Sequence, residues 1–143
     1  MNEAADVSLS LVRELNASLE QAFSAWTNPQ LMEKWFAPGE KQAQVSLDLR
    51  VGGRYRVQMR DPDGTTHVVG GEYRQIEPNR RIVKTWQWEG SEEVSEVTVA
   101  FRQMSPEQTE VTLTHARFPE SETKDRHVQG WSGCLVKLVA LYQ

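Results

Sequence analysis

The sequence predicts an α+β fold, a curved antiparallel sheet covered on one face by a long C-terminal helix. Three observations predict it. Alternating strand patterns and turn signals fill residues 43 to 118. Two short helical segments separate the first strand from that run, and helical periodicity returns only after Pro119. Strands in a block followed by a helix imply that the helix lies across the sheet, because each must bury its apolar face against another element. A chain of 143 residues has the usual size of one compact domain, so a single domain over 1–143 is expected.

The elements follow in order. VSLSLVREL, residues 7 to 15, places Val7, Leu9, Leu11 and Leu15 on one side and Ser8, Ser10 and Glu14 on the other, the period of a half-buried strand. Ser18 is a helix cap, and Leu19, Ala22, Phe23 and Trp26 follow helical spacing until Asn28-Pro29 breaks it. A second short helix from Pro29 is expected to bury Leu31, Met32, Trp35 and Phe36 before Pro38-Gly39 stops it. The strand run then reads QAQVSLDLRVGG, GRYRVQMR, THVVGGEYRQIE, RIVKTWQWE, VSEVTVAFRQM and TEVTLTHARF. Gly52-Gly53, DPDG, PNR, the Gly90 region and SPEQ supply the turns. Even spacing and short turns predict an antiparallel meander of about six strands. The final helix is expected over about 121 to 142, with Val128, Trp131, Leu135, Leu138 and Tyr142 in one apolar stripe.

Composition narrows the function. A net charge of -4 offers no basic footprint for nucleic acid. Cys134 is the only cysteine, so neither an internal disulfide nor a thiolate metal site can form. No apolar run approaches membrane-spanning length and the start MNEAADVS lacks a signal-peptide pattern, so a cytoplasmic protein without membrane insertion is expected. His67, His115 and His127 are not at metal-ligand spacing, and GWSGC lacks the spacing of a hydrolase nucleophile elbow. No metal and no cofactor are expected.

The stripe on the last helix either packs the core or roofs a ligand cavity. Strand parity groups the facing residues as Tyr55, Val57 and Met59; Trp86 and Trp88; Val97, Val99 and Phe101; and Val111, Leu113 and His115. Parity does not say which set points inward, and a bulge at Gly70-Gly71 would swap the phase. Glu72 and Tyr73 have opposite parity, so only one of them faces inward. Gly130 and Gly133 each cost about 1 kcal/mol relative to Ala in a helix. Gly130 is the expected site of close approach and Gly133 the exposed edge.

LNASLEQAFSAWTNPQLMEKWFAPG, DLRVGGRYRVQM, GGEYRQIEPNRRIVKTWQW, TEVTLTHARF and HVQGWSGCLVKL, taken together and in this order, resemble one family. It is the family named after the activator of the heat-shock-protein-90 ATPase, within the START-like, polyketide-cyclase and birch-pollen-allergen superfamily. The resemblance implies a helix-grip fold: a curved antiparallel sheet wraps the long C-terminal helix, two short helices close one end, and an apolar cavity lies between. Some members bind lipids or other apolar molecules, some catalyse polyketide ring closure or dehydration, and the eponymous co-chaperone stimulates its ATPase. The co-chaperone's separate N-terminal domain has no counterpart in these 143 residues, so that activity is not carried over.

The preferred reading is a protein that binds an apolar small molecule, in a cavity lined by Trp35, Tyr55, Trp86, Trp88, Phe101, Leu113, His115, Trp131, Leu135 and Leu138. His115 would orient a polar end of the ligand. The alternatives are a cyclase or dehydratase using His115 with Glu72 or Tyr73, and a module that binds a chaperone partner. Homodimer formation stays open.

Overall fold

The computed structural model describes residues 7–118 and 121–143. β1 (Val7–Leu15) buries Leu9 and Leu15 and exposes Ser8, Ser10 and Glu14, as its alternation requires. α1 (Leu19–Thr27) begins with a complete capping box. Ser18 Oγ accepts the Gln21 N–H at 3.2 Å, and the Gln21 side chain accepts the Ser18 N–H at 2.9 Å. Asn28 serves two helices: its backbone N–H closes α1 on the Ser24 carbonyl, and its side chain caps α2 (Pro29–Met32).

α2 is shorter than the sequence pattern suggests. Beyond Met32 the Lys34 and Trp35 N–H groups bond carbonyls three residues back, which tightens the chain into turns. The Trp35 indole donates to the Ala25 carbonyl at 2.9 Å and holds this segment against α1. Trp35 and Phe36 are buried all the same.

Six strands follow: β2 (Gln42–Leu47), β3 (Arg54–Arg60), β4 (Thr66–Glu77), β5 (Arg81–Trp88), β6 (Ser95–Ser105) and β7 (Gln108–Phe118). With β1 they form one antiparallel sheet in the order β1-β7-β6-β5-β4-β3-β2. The two short helices carry the chain from one edge of the sheet to the other, and the meander returns it to β1. α3 (Ser121–Leu141) then packs along β1 and β7 inside the curled sheet, which is the helix-grip arrangement. Among the described residues no helix is long and apolar enough to cross a membrane.

The parity sets share the inner face. Tyr55, Val57, Met59, Trp86, Val97, Val99, Phe101, Val111, Leu113 and His115 are all buried there. The bulge in β4 falls at Arg74 instead of Gly70-Gly71, where the register steps from Tyr73↔Lys84 to Gln75↔Val83. A second irregularity at Arg117, with φ 69°, returns Phe118 to the inner face. Gly71 matters for a different reason. A Cβ there would lie 2.1 Å from the Thr85 carbonyl oxygen, so only glycine admits this close approach of β4 to β5.

Candidate functional site

β5 and α3 meet through histidine and tryptophan. On the inner face of β5, Trp86 and Trp88 aim their indole N–H groups at one atom, His127 Nε2, at 3.3 and 3.0 Å. His127 Nδ1 lies 2.8 Å from the Thr123 carbonyl, one helical turn back. A carbonyl only accepts, so Nδ1 carries the proton and Nε2 is left as the acceptor both indoles need. One turn further along α3, Trp131 donates its indole N–H to His115 Nδ1 at 3.0 Å. His115 Nε2 therefore carries the proton, and it donates to Ser95 Oγ at 2.6 Å.

Both imidazoles are fixed as neutral tautomers. Burial drives the His115 pKa down to about 2, helped by the repulsion that a proton on His115 would meet from any charge on His127 or Lys84. Burial also lowers His127, against the opposing pull of the Thr123 carbonyl. Protonating either ring would set an N–H against an indole N–H. Such a histidine holds position and does not exchange protons at neutral pH.

This network forms the back wall of a cavity of about 570 Å³. Trp86, Trp88, Trp131, Phe36 and Met59 give its apolar surface, while Lys41, His67, Glu93 and Arg126 stand around it as polar groups. Apolar walls with a few polar groups are the usual composition of a small-molecule site, and the volume falls in the usual range of about 300–1,000 Å³. Cys134 also borders the cavity; it is 4% exposed, and burial pushes its thiol up to about 12, so it acts as a small apolar group and not a nucleophile.

The two glycines of α3 exchange the roles expected of them. A Cβ on Gly133 would lie 2.8 Å from the Pro38 Cβ, so this is where the helix and the segment after α2 approach closely. A Cβ on Gly130 would meet nothing within 4 Å, and Gly130 borders the cavity. Helical spacing cannot separate the two, because the difference depends on where the Pro38 loop crosses the helix.

Of the residues expected to line a cavity, Trp86, Trp88 and Trp131 come together on its wall. His115 is packed among Trp86, Phe118 and His127 and reaches the wall through the Trp131 indole. Trp35, Leu113, Leu135 and Leu138 are fully enclosed in the core. Phe101 stacks edge-on against Phe23 of α1 at 5.5 Å. The Tyr55 hydroxyl is spent on the Thr85 carbonyl, beside the close approach of Gly71. Glu72 pairs with Arg74 at 3.1 Å on the outer side while Tyr73 is buried inside, so His115 and Glu72 do not form a catalytic pair.

His127, Phe36 and Cys134 were not among the expected wall residues. A signal for two of them was present, since His127, Gly130, Trp131 and Cys134 share one helix face at spacings of 3, 1 and 3. Lys84 is also buried on the inner face, although lysine rarely is.

A family model described as Activator of Hsp90 ATPase homolog 1-like protein matches residues 16–143. Among solved structures, protein CV1439 from Chromobacterium violaceum is 26% identical with a TM-score of 0.86, over 94% of this chain and 96% of that one. An uncharacterized protein from Rhizobium leguminosarum is 32% identical with a TM-score of 0.76, over 94% of this chain and 92% of that one. CalU16 from Micromonospora echinospora is 25% identical with a TM-score of 0.71, over 92% of this chain and 73% of that one. No curated protein matches the chain.

Proposed function

We propose, on the premise that the chain belongs to the Activator of Hsp90 ATPase homolog 1-like family, that it binds an apolar small molecule with an aromatic or similarly flat body. The observation that carries this reading is the 570 Å³ cavity walled by three indoles and a phenyl ring. The Trp86 and Trp88 rings stand nearly perpendicular, at 88° with centroids 5.6 Å apart, so they offer a flat face and an edge at once.

The energetics allow useful affinity. Removing roughly 300 Å² of apolar ligand surface from water gains about 7 kcal/mol. Association costs at least about 4 kcal/mol of that. The remaining few kcal/mol give millimolar binding from the apolar contact alone, and one or two hydrogen bonds from the polar groups around the cavity, at about 1 kcal/mol each, would bring it below millimolar.

A chaperone partner is the other role the family name suggests. Among the described residues the exposed large apolar side chains are Val12, Leu49, Val51, Val94, Met104 and Val136, spread over β1, two turns, β6 and α3. A protein-docking face gathers such residues into one patch, so the geometry favours the small molecule. Titration with a panel of apolar aromatic compounds tests the reading. Quenching of tryptophan fluorescence together with a rise in melting temperature is the expected result; neither, across the panel, would defeat it.

A further inference from the structure

Behind the cavity wall the protein holds a second set of polar groups that the binding reading does not use. Lys84 is 1% exposed. Among the described residues it makes no hydrogen bond and no salt bridge, and its Nζ lies 4.6, 5.6 and 5.9 Å from the ring centroids of Tyr55, Phe36 and Trp26. Tyr73 is its cross-strand partner on the same inner face. The Tyr73 hydroxyl and the Trp26 indole N–H are buried without a hydrogen-bond partner. Unpaired buried polar groups are costly and uncommon, and each calls for an explanation. Here the amine faces the Tyr55 ring, which lies 5.6 Å from the Tyr73 ring, and stands 5.9 Å from the Trp26 ring, so an amine, a phenol and an indole border one aromatic neighbourhood.

We propose that Lys84 is a nucleophilic amine that forms an imine with an apolar aldehyde or ketone, assisted by the Tyr73 hydroxyl. The amine lone pair adds to the carbonyl carbon and the C=O π pair moves to oxygen. The nitrogen proton passes to that oxygen to give a carbinolamine. Tyr73 then protonates the hydroxyl, water leaves, and the imine nitrogen returns its proton to Tyr73. No oxidant or reductant takes part. Burial brings the Lys84 pKa down to about 7, so a large share of the amine is neutral at neutral pH, as nucleophilic lysines require. Burial raises the Tyr73 hydroxyl, which keeps it protonated and able to donate. Phe36 provides the route, since its ring belongs both to the cavity wall and to the aromatic group around Lys84. Access to the amine therefore requires the Phe36 side chain to move to another staggered rotamer. The entry route rests on the cavity-binding reading; the reactivity of the amine does not.

The test uses the full chain with 2-naphthaldehyde and cyanoborohydride, followed by intact-mass and peptide-mass analysis. Equilibrium dialysis with 2-naphthalenemethanol, which cannot form an imine, runs in parallel. The expected result is a single adduct on Lys84, formed at least about tenfold faster than adducts on Lys34, Lys41, Lys124 or Lys137 near pH 7. Lys84→Met should lose that adduct and still bind the alcohol, with circular dichroism confirming its fold. Tyr73→Phe should bind the alcohol normally and slow adduct formation by about 100-fold. Phe36→Ala should speed it. Adducts confined to the other four lysines, with alcohol binding intact, would overturn the proposal and leave the cavity reading standing. Absence of alcohol binding alongside a Lys84 adduct would overturn the cavity reading and leave the reactive amine.

Discussion

Three residues make acid and base sensitivity measurable. His115 is neutral in the fold but protonates near 6.5 when unfolded, so the unfolded chain binds the extra proton below that pH. Its share of the stability is complete above about 6.5 and falls as pH drops, by up to about 1.4 kcal/mol per pH unit. His127 adds a smaller slope of the same sign, because its pKa is also lowered. Denaturant unfolding between about pH 7 and 4 should show this loss, and His115→Gln, which keeps one donor and one acceptor, should remove a large part of it. Lys84 works at the other end of the scale. Its pKa falls from 10.5 unfolded to about 7 folded, so its own contribution to stability should rise between those limits as the unfolded chain gives up the proton the native state has already lost. Lys84→Met should be more stable than the natural chain at pH 7 by a few kcal/mol, and the gap should close towards pH 10. The importance of Lys84 could not be read from the sequence, because RIVKTWQWE gives a lysine at an inner parity position and nothing says that rings enclose it.

At the scale of elements, α3 carries two opposite glycine tests. Gly133→Ala should gain about 1 kcal/mol of helix propensity but lose about 1–3 kcal/mol to the Pro38 contact, for a net fall in melting temperature. Gly130→Ala should gain about 1 kcal/mol, because its Cβ enters open space. Gly130→Leu should leave the fold intact and fill the cavity, which a loss of ligand-induced thermal stabilisation would reveal. Most elements were legible beforehand. The Ser18 cap, the Asn28-Pro29 break and the DPDG, PNR and SPEQ turns are local chemistry, and they stand where the sequence placed them. The end of α2 and the bulges at Arg74 and Arg117 were not legible. Each is set by contacts distant in sequence, such as the Trp35 indole on Ala25.

For the whole molecule, periodicity showed which residues share a face, while only the curl of the sheet decides where that face closes and where it stays open. Trp35, Leu135 and Leu138 satisfy the same spacing rules as Trp86 and Trp131, yet they lie where α1, α3 and the sheet pack without a gap. The opening occurs towards the start of α3, where hydrogen bonds fix Trp86 and Trp88 on His127 and Phe36 and Pro38 border the space. The histidine–indole lock therefore defines the cavity, and the most direct test reads the five tryptophan indole N–H signals by NMR during titration with 2-naphthalenemethanol. Saturable shifts of the Trp86, Trp88 and Trp131 signals, with Trp26 and Trp35 nearly still and all shifts abolished in Gly130→Leu, are the expected result. Unmoved signals at saturating ligand, or shifts that persist unchanged in Gly130→Leu, would contradict the claim that this cavity is the binding site.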